Sequence, residues 1–388
     1  MKNTYLTILA LLSPIAVYAQ TQERPPYHAE EKSLFEEVTK IQKKTDKFNL
    51  YLNMHSDFDA EWTGSHFNEG KFQMRQLRLE MKGQINDWLS YRYRQRLNAG
   101  DNPNGYRDNI LKSIDYAMVG FRVNKVTFYV GKQCAAYGGI EFDVNPIEIY
   151  QYSDMGGTCN NFNTGVNVSY NLTDRQQLQF QVLNSYTGSV EEEYGDYRRA
   201  KLPLVYTANW NGNFNDVFKT RWSASVMNQT KGEHMYYFAL GNEFNVSEKF
   251  GGYFDWMYSI EGVDRRGVLT DIIAGPDHVR NTSKVDYMTF VLHLNYRFHP
   301  SWNIIATATY DREGVYKAHD GIAKGNYRNA WGYVGGIEYY PFNDRSLHFF
   351  AVYAGRDFRY SSLAKAYGSH NYNTSRVAVG FIWQMPIF

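Results

Sequence analysis

Apolar and polar residues alternate one by one through sixteen short segments of this chain, from Phe48 to Phe388, and the connections between segments alternate short and long. Between Leu89 and Asn98, Leu89, Tyr91, Tyr93 and Leu97 share one parity, while Ser90, Arg92, Arg94, Arg96 and Asn98 share the other. In a strand those parities are opposite faces. A helix rotates residues two apart by about 200°, so no helical register parts the arginines from their apolar neighbours in this way. The same period sets Leu77, Leu79 and Met81 against Gln76, Arg78, Glu80 and Lys82, and Phe254, Trp256, Tyr258 and Ile260 against Tyr253, Asp255, Ser259 and Glu261. Such a chain folds as antiparallel sheet with one polar and one apolar face. In a soluble sandwich the apolar face meets a core; in a membrane barrel it meets lipid.

Composition favours the barrel. Aromatic residues make up 17% of the 388, with 33 Tyr, yet hydrophobic residues reach only 43% and mean hydropathy is −0.54. A helical membrane protein cannot be so polar, whereas a wet-lumened barrel can, because only alternate residues meet lipid. Lys2, the apolar run from Tyr5 to Val17 and Val17-Tyr18-Ala19 read as a secretory signal peptide over 1–19, cleaved after Ala19. Gln20 follows the cut where a lipoprotein needs Cys, and no later run of about 18 apolar residues offers a transmembrane helix. These features place the chain in a bacterial outer membrane, amid lipid and lipopolysaccharide. A net charge of +1 gives no case for a nucleic-acid partner.

The expected fold is all-β: a transmembrane antiparallel barrel of about 16 strands over 48–388, preceded by a short periplasmic helix within 20–47. Strands are placed near 48–58, 72–85, 88–98, 111–123, 125–133, 162–172, 175–185, 202–211, 217–228, 234–246, 249–261, 284–298, 301–311, 328–341, 345–357 and 373–384. In 20–47, Leu34, Val38 and Ile41 recur at helical spacing among Glu and Lys; the alternative is a solvated linker. Asn, Asp, Gly and Pro mark most of the short turns. Tight periplasmic turns and long external loops put both termini inside. The last strand ends at a terminal Phe388, a feature outer-membrane barrels commonly present to their assembly machinery.

The longest connection, 133–161, is the third external loop by this count and is expected to fold into the lumen as a constriction, carrying Glu141, Asp143, Glu148, Tyr150 and Asp154. Cys134 and Cys159, the two cysteines of the chain, mark its ends. A disulfide is permitted in an exported protein and would close about 25 residues, worth roughly 3 kcal/mol by loop entropy; the alternative is two separate thiols. Facing the loop, Arg78, Lys82, Arg92, Arg94 and Arg96 form a basic ladder. Arg92 to Arg96 covers roughly 13 Å of pore axis, enough for several weak anion sites in series. The competing reading is that these cations pair with acids such as Glu80, brought beside Arg92 or Arg94 by the Asn86-Asp87 turn, and merely line a general channel.

No metal site or cofactor is expected, and no enzyme: the ten histidines are scattered singly, and neither HExxH nor a phosphate-cradling glycine loop occurs. Glu191, Glu192 and Glu193 with Arg198 and Arg199 read as a solvated loop, calcium or lipopolysaccharide contact being the alternative. A plugged structural or adhesive barrel is the rival from another class, against which Gly165, Asn167, Ser169, Ser223, Ser225, Thr307 and Thr309 on the lumen parity leave room.

Arg75-Gln-Leu-Arg-Leu-Glu-Met-Lys-Gly83, Trp88-Leu-Ser-Tyr-Arg-Tyr-Arg-Gln-Arg-Leu97, Asp115-Tyr-Ala-Met-Val-Gly120 and Phe128-Tyr-Val-Gly-Lys-Gln133 resemble the phosphate-selective porin O and P family, in a form like those of Bacteroides-type bacteria. The resemblance implies a sixteen-stranded, trimeric channel for passive diffusion of small hydrophilic solutes, anions such as phosphate among them, with Arg92, Arg94 and Arg96 as the positions that serve. General diffusion, or a carboxylate or oligosaccharide porin, is the alternative. The near-zero net charge and the acidic third loop depart from the family's pattern and bear on phosphate specificity.

Overall fold

The computed structural model describes residues 31–43, 45–100, 107–159, 161–275 and 278–388. The expected signal peptide and residues 20–30 lie outside them. Sixteen strands run in chain order: β1 (Asn49–Thr63), β2 (His66–Asn86), β3 (Leu89–Arg96), β4 (Ile114–Val123), β5 (Val126–Cys134), β6 (Phe162–Thr173), β7 (Gln176–Asn184), β8 (Leu204–Phe214), β9 (Phe218–Thr230), β10 (Glu233–Ser247), β11 (Phe250–Val263), β12 (Ser283–His299), β13 (Trp302–Val315), β14 (Gly325–Tyr339), β15 (His348–Tyr360) and β16 (Tyr372–Pro386). Each pairs antiparallel with the next, and β16 closes on β1, from Tyr51 opposite Pro386 to Thr63 opposite Thr374. Closure leaves no unpaired edge, which an apolar surround demands. Among the described residues five short helices lie before the barrel or in the connections between its strands: α1 (Leu34–Thr39), α2 (Asp154–Thr158), α3 (Val190–Tyr194), α4 (Val268–Ile273) and α5 (Ser362–Lys365).

The dyad pattern emerges as alternating burial along the strands. In β10, Tyr236, Phe238 and Leu240 are exposed on the outer face while Met235, Tyr237 and Ala239 are buried inside. Phe121, Phe180, Trp222, Trp331 and Tyr353 belong to the same outward aromatic surface, suited to lipid and its interfaces.

The β1–β2 hairpin differs from expectation, and the short N-terminal helix is present as expected. β1 and β2 run farther than expected, so the connection expected over 59–71 is a turn at Gly64 and Ser65. His66 to Phe72 are exposed on both faces, so this part of β2 stands in solvent and no buried face marks it in the sequence. The N-terminal helix is short: Ser33 and Glu36 form a capping box, and Lys40 ends it in the left-handed conformation. Its supposed apolar stripe is not buried, Val38 being 79% exposed. Phe35 instead packs on Phe388 at 4.9 Å, Phe48 lies on the other side of Phe388 at 5.4 Å, and the Phe388 carbonyl accepts from Leu50 N at 3.0 Å. The Glu191–Glu193 run lies in α3, where Ser189 and Glu192 form a second capping box and Glu193 pairs with Arg265 at 3.1 Å.

Inside, the extracellular half is unexpectedly apolar. Met227, Met235, Tyr237, Met257 and Val285 point inward and pack with Leu269 of α4, Ala364 of α5 and apolar residues of the 135–161 loop. At the end holding the termini, a vestibule of about 1560 Å³ is lined by Glu36, Lys43, Glu148, Lys219, Glu243 and His348 among others.

Candidate functional site

The connection from β5 to β6 crosses the lumen and is tied to the wall at both sides. Gly138 and Gly139 adopt positive φ of 71° and 79°, a conformation that side chains disfavour, and turn the loop toward β9–β11. There Ser223 Oγ donates to the Tyr137 carbonyl, and the Asp255 carboxylate accepts from Ile140 N and Glu141 N, both at 2.8 Å. The wall is hollowed at this point: a Cβ at Gly241 would lie 2.8 Å from Gly139 Cα and 2.9 Å from Ile140 N. Ser223, read from the sequence as leaving the lumen open, makes room for the loop instead.

Farther on, Asn145 caps a single 3-10 turn, Pro146–Glu148, and His55 Nδ1 donates to the Ile147 carbonyl at 2.7 Å. Tyr150 donates its hydroxyl to Glu338 at 2.8 Å and accepts from Arg376 at its carbonyl. Ser153 caps α2 and also donates N–H and Oγ–H to Glu141, pinning the outgoing limb of the loop to its return.

The expected constriction residues therefore meet the wall rather than the basic ladder. Asp143 pairs with Arg221 at 2.8 Å. Asp154 is held between Arg328 and Arg356; burial alone would raise its pKa, but the two guanidiniums outweigh burial and keep it below the usual carboxylate range. Burial pushes Glu141 up to about 7 against the hydrogen bonds from Ser153, so at neutral pH it is partly protonated and adds less than a full negative charge. Glu148 faces His348 at 3.7 Å. Arg221, Arg328 and Arg356 were not singled out in the sequence. Arg221 shares the parity of Ser223 and Ser225 and was readable. Arg356 sits in a strand whose inner face, Phe350, Val352 and Ala354, is apolar because it packs on Ile147 and Tyr150, and parity cannot be read there.

The ladder lies on β2 and β3, where Arg78, Glu80 and Lys82 stand opposite Arg96, Arg94 and Arg92. Like charges face each other at both ends of this register, an arrangement that costs stability unless compensated. Arg92 pairs with Glu80 at 2.8 Å, and Asp115 receives Arg78, Arg94 and Arg96 at 2.7, 3.0 and 3.2 Å. Asp115 is the extra residue of a bulge: Arg94 pairs with Tyr116 and Gln95 with Ile114, so Asp115 and Tyr116 are buried side by side. A bulge re-aims the residue it inserts, which brings a carboxylate of lipid-facing parity into the lumen. The Arg92 guanidinium also stacks on Tyr116 at 3.9 Å and Lys82 lies over Tyr51 at 4.9 Å. Arg78, Arg92 and Arg94 are buried, whereas the Arg96 side chain is 35% exposed.

The expected disulfide is corrected: Cys134 and Cys159 are not bonded to each other. Cys134 packs with Tyr116, Met118 and Tyr129. Cys159 lies against the main apolar cluster with Arg265 Nη1 at 3.9 Å. The loop's neck closes through the sheet itself, with Cys134 opposite Phe162 and Ala135 N donating to the Asn161 carbonyl at 2.6 Å.

Residues 48–385, the whole barrel but its last three residues, match the phosphate-selective porin O and P family. The chain belongs to that family. It is an outer-membrane porin of a non-catalytic channel class, through which small hydrophilic solutes diffuse passively. No curated protein sequence matched it. Solved structures share the porin's fold at low identity: OmpF of Salmonella typhi in complex with daunomycin (13% identity, TM-score 0.57, covering 88% of this chain and 99% of that one); the in-vitro folded OmpT of Vibrio cholerae in its trimer form (12%, 0.54, 88% and 100%); and an anion-selective porin from Comamonas acidovorans (8%, 0.54, 87% and 99%).

Proposed function

We propose that this porin favours small anions, phosphate among them, and that the β2–β4 wall supplies the preference. The observation that carries this reading is the charge balance: five cations, Arg78, Lys82, Arg92, Arg94 and Arg96, are accompanied on that wall by the carboxylates Glu80 and Asp115. Across the lumen the loop acids Asp143 and Asp154 are themselves paired, Asp143 with Arg221 and Asp154 with Arg328 and Arg356, which also hold Glu313 and Asp311, so neither of these two acids is directed at the β2–β4 wall. Arg78, Arg92, Arg94 and Arg96 act through their field, Arg96, which also donates to the Lys112 carbonyl, being the most exposed of the four. The mature channel starts after the leader at 1–19, assembles as a homotrimer as the Vibrio OmpT does in its trimer form, and meets lipid and lipopolysaccharide with its aromatic surface.

The test is planar-bilayer recording of refolded protein while phosphate is titrated into KCl. Phosphate should reduce the chloride current of the wild type. Arg92→Ala/Arg94→Ala/Arg96→Ala should lose both that block and the anion preference. A triple variant indistinguishable from wild type would leave a general-diffusion, carboxylate or oligosaccharide porin.

A further inference from the structure

The underside of the loop carries a group of side chains that the proposed selectivity does not use. Glu148 of the loop, Glu338 of β14 and His348 of β15 each place one ligand atom within 4.8 Å of the others. His348 is 1% and Glu338 0% exposed. The Nδ1 atom of His348 lies 3.0 Å from the Ser346 carbonyl, and a carbonyl only accepts, so Nδ1 carries the proton. In the neutral ring Nε2 is then a bare lone pair, aimed at Glu148 Oε2 from 3.7 Å. Neither Nε2 nor that oxygen has a hydrogen-bond partner among the described residues, although both are buried. Leaving such atoms unsatisfied is unfavourable.

The surroundings have the form of a ligand set with its supports. Glu338 is fixed by Tyr150 Oη at 2.8 Å, Asn303 Nδ2 at 2.7 Å and Tyr340 Oη at 3.1 Å. The His348 ring stacks on Tyr340 at 4.6 Å, and its tautomer is set by a backbone carbonyl; such second partners are what orient metal-binding imidazoles and carboxylates. Glu148 is placed by the Asn145-Pro146 turn described above, and the site opens on the vestibule, which Glu148, Tyr340 and His348 line.

We propose that Glu148, Glu338 and His348 bind a divalent transition-metal ion of the zinc type, which ties the constriction loop to β14 and β15. One imidazole and two carboxylates suit zinc, and three protein ligands leave a coordination position for water from the vestibule. Calcium and magnesium, which take oxygen ligands, gain nothing from the imidazole. The ion also offsets the charge of the two carboxylates.

Refolded, untagged protein is stripped with chelator, titrated with ZnCl2 and assayed calorimetrically and by elemental analysis after gel filtration, folding being checked by heat-modifiable electrophoretic mobility. Wild type should take up one zinc ion saturably, unaffected by excess MgCl2. Glu148→Gln, an isosteric change on the loop that spares the barrel, and His348→Gln should each weaken uptake at least about tenfold. Absence of saturable zinc binding by folded wild type, as a simple imidazolium–carboxylate contact would give, overturns the proposal. So does uptake unchanged in the folded Glu148→Gln protein.

Discussion

Asp115→Asn should be among the most damaging single substitutions in the wall, lowering stability by about 3–5 kcal/mol, the cost of removing one partner from a buried ion pair. Asp115 is 1% exposed and receives three guanidiniums. The amide keeps the shape but removes the charge, so Arg78 and Arg94, both buried, lose their shared counterion. Arg78 and Arg96, opposite each other in register, then repel without a carboxylate between them. Urea unfolding of the refolded barrel reads the loss directly. Asp357→Asn, which breaks an outlying pair with Arg359, itself 58% exposed, is the control and should change stability by less than about 1 kcal/mol. Protein that still folds should be more anion-selective than wild type, since a carboxylate has left a positive wall. Equal midpoints for Asp115→Asn and wild type would sink the account of the ladder.

Gly241→Val should lift the constriction loop from β9–β11 while the barrel stays closed. A Cβ at Gly241 meets Gly139 Cα and Ile140 N at 2.8 and 2.9 Å, both backbone atoms that cannot swing aside. Overpacking of this kind costs about 1–3 kcal/mol, and the easiest relief is for the loop to give up the two hydrogen bonds to Asp255. Single-channel conductance is expected to rise and to fluctuate more, with no change in heat-modifiable mobility. Gly335 faces outward and a Cβ there meets nothing within 4 Å, so Gly335→Val should conduct as wild type. Identical conductance in Gly241→Val and Gly335→Val would mean that the loop is not seated as described.

Where a strand is lipid-facing on one side and lumen-facing on the other, period two alone places it, and the sixteen strands and their order were legible on that ground. Legibility failed where that physics fails. The outer part of β2 stands in solvent and carries no apolar parity. Asp115 sits on the wrong parity because a bulge inserts it, and a bulge leaves no mark in a parity count. The loop was recognisable by length, position and its acidic residues, but its anchors were not: Asp255, Arg328 and Arg356 lie more than 100 residues along the chain from the groups they hold. The cysteines misled because closeness in sequence to the loop's ends was read as closeness in space, whereas side chains at Cys134 and Cys159 enter different clusters. The apolar lining under the external loops was missed for a related reason: residues such as Met227 and Met235 pack on loop residues that sequence periodicity does not bring together.

The most direct test of the central claim is the reversal potential of the refolded wild-type porin across a planar bilayer in a KCl gradient. The positive excess on the β2–β4 wall predicts a potential on the chloride side, with chloride permeability above that of potassium. A potential on the potassium side would contradict it, and would mean that the acids of the constriction loop rather than the arginines of the wall govern what passes.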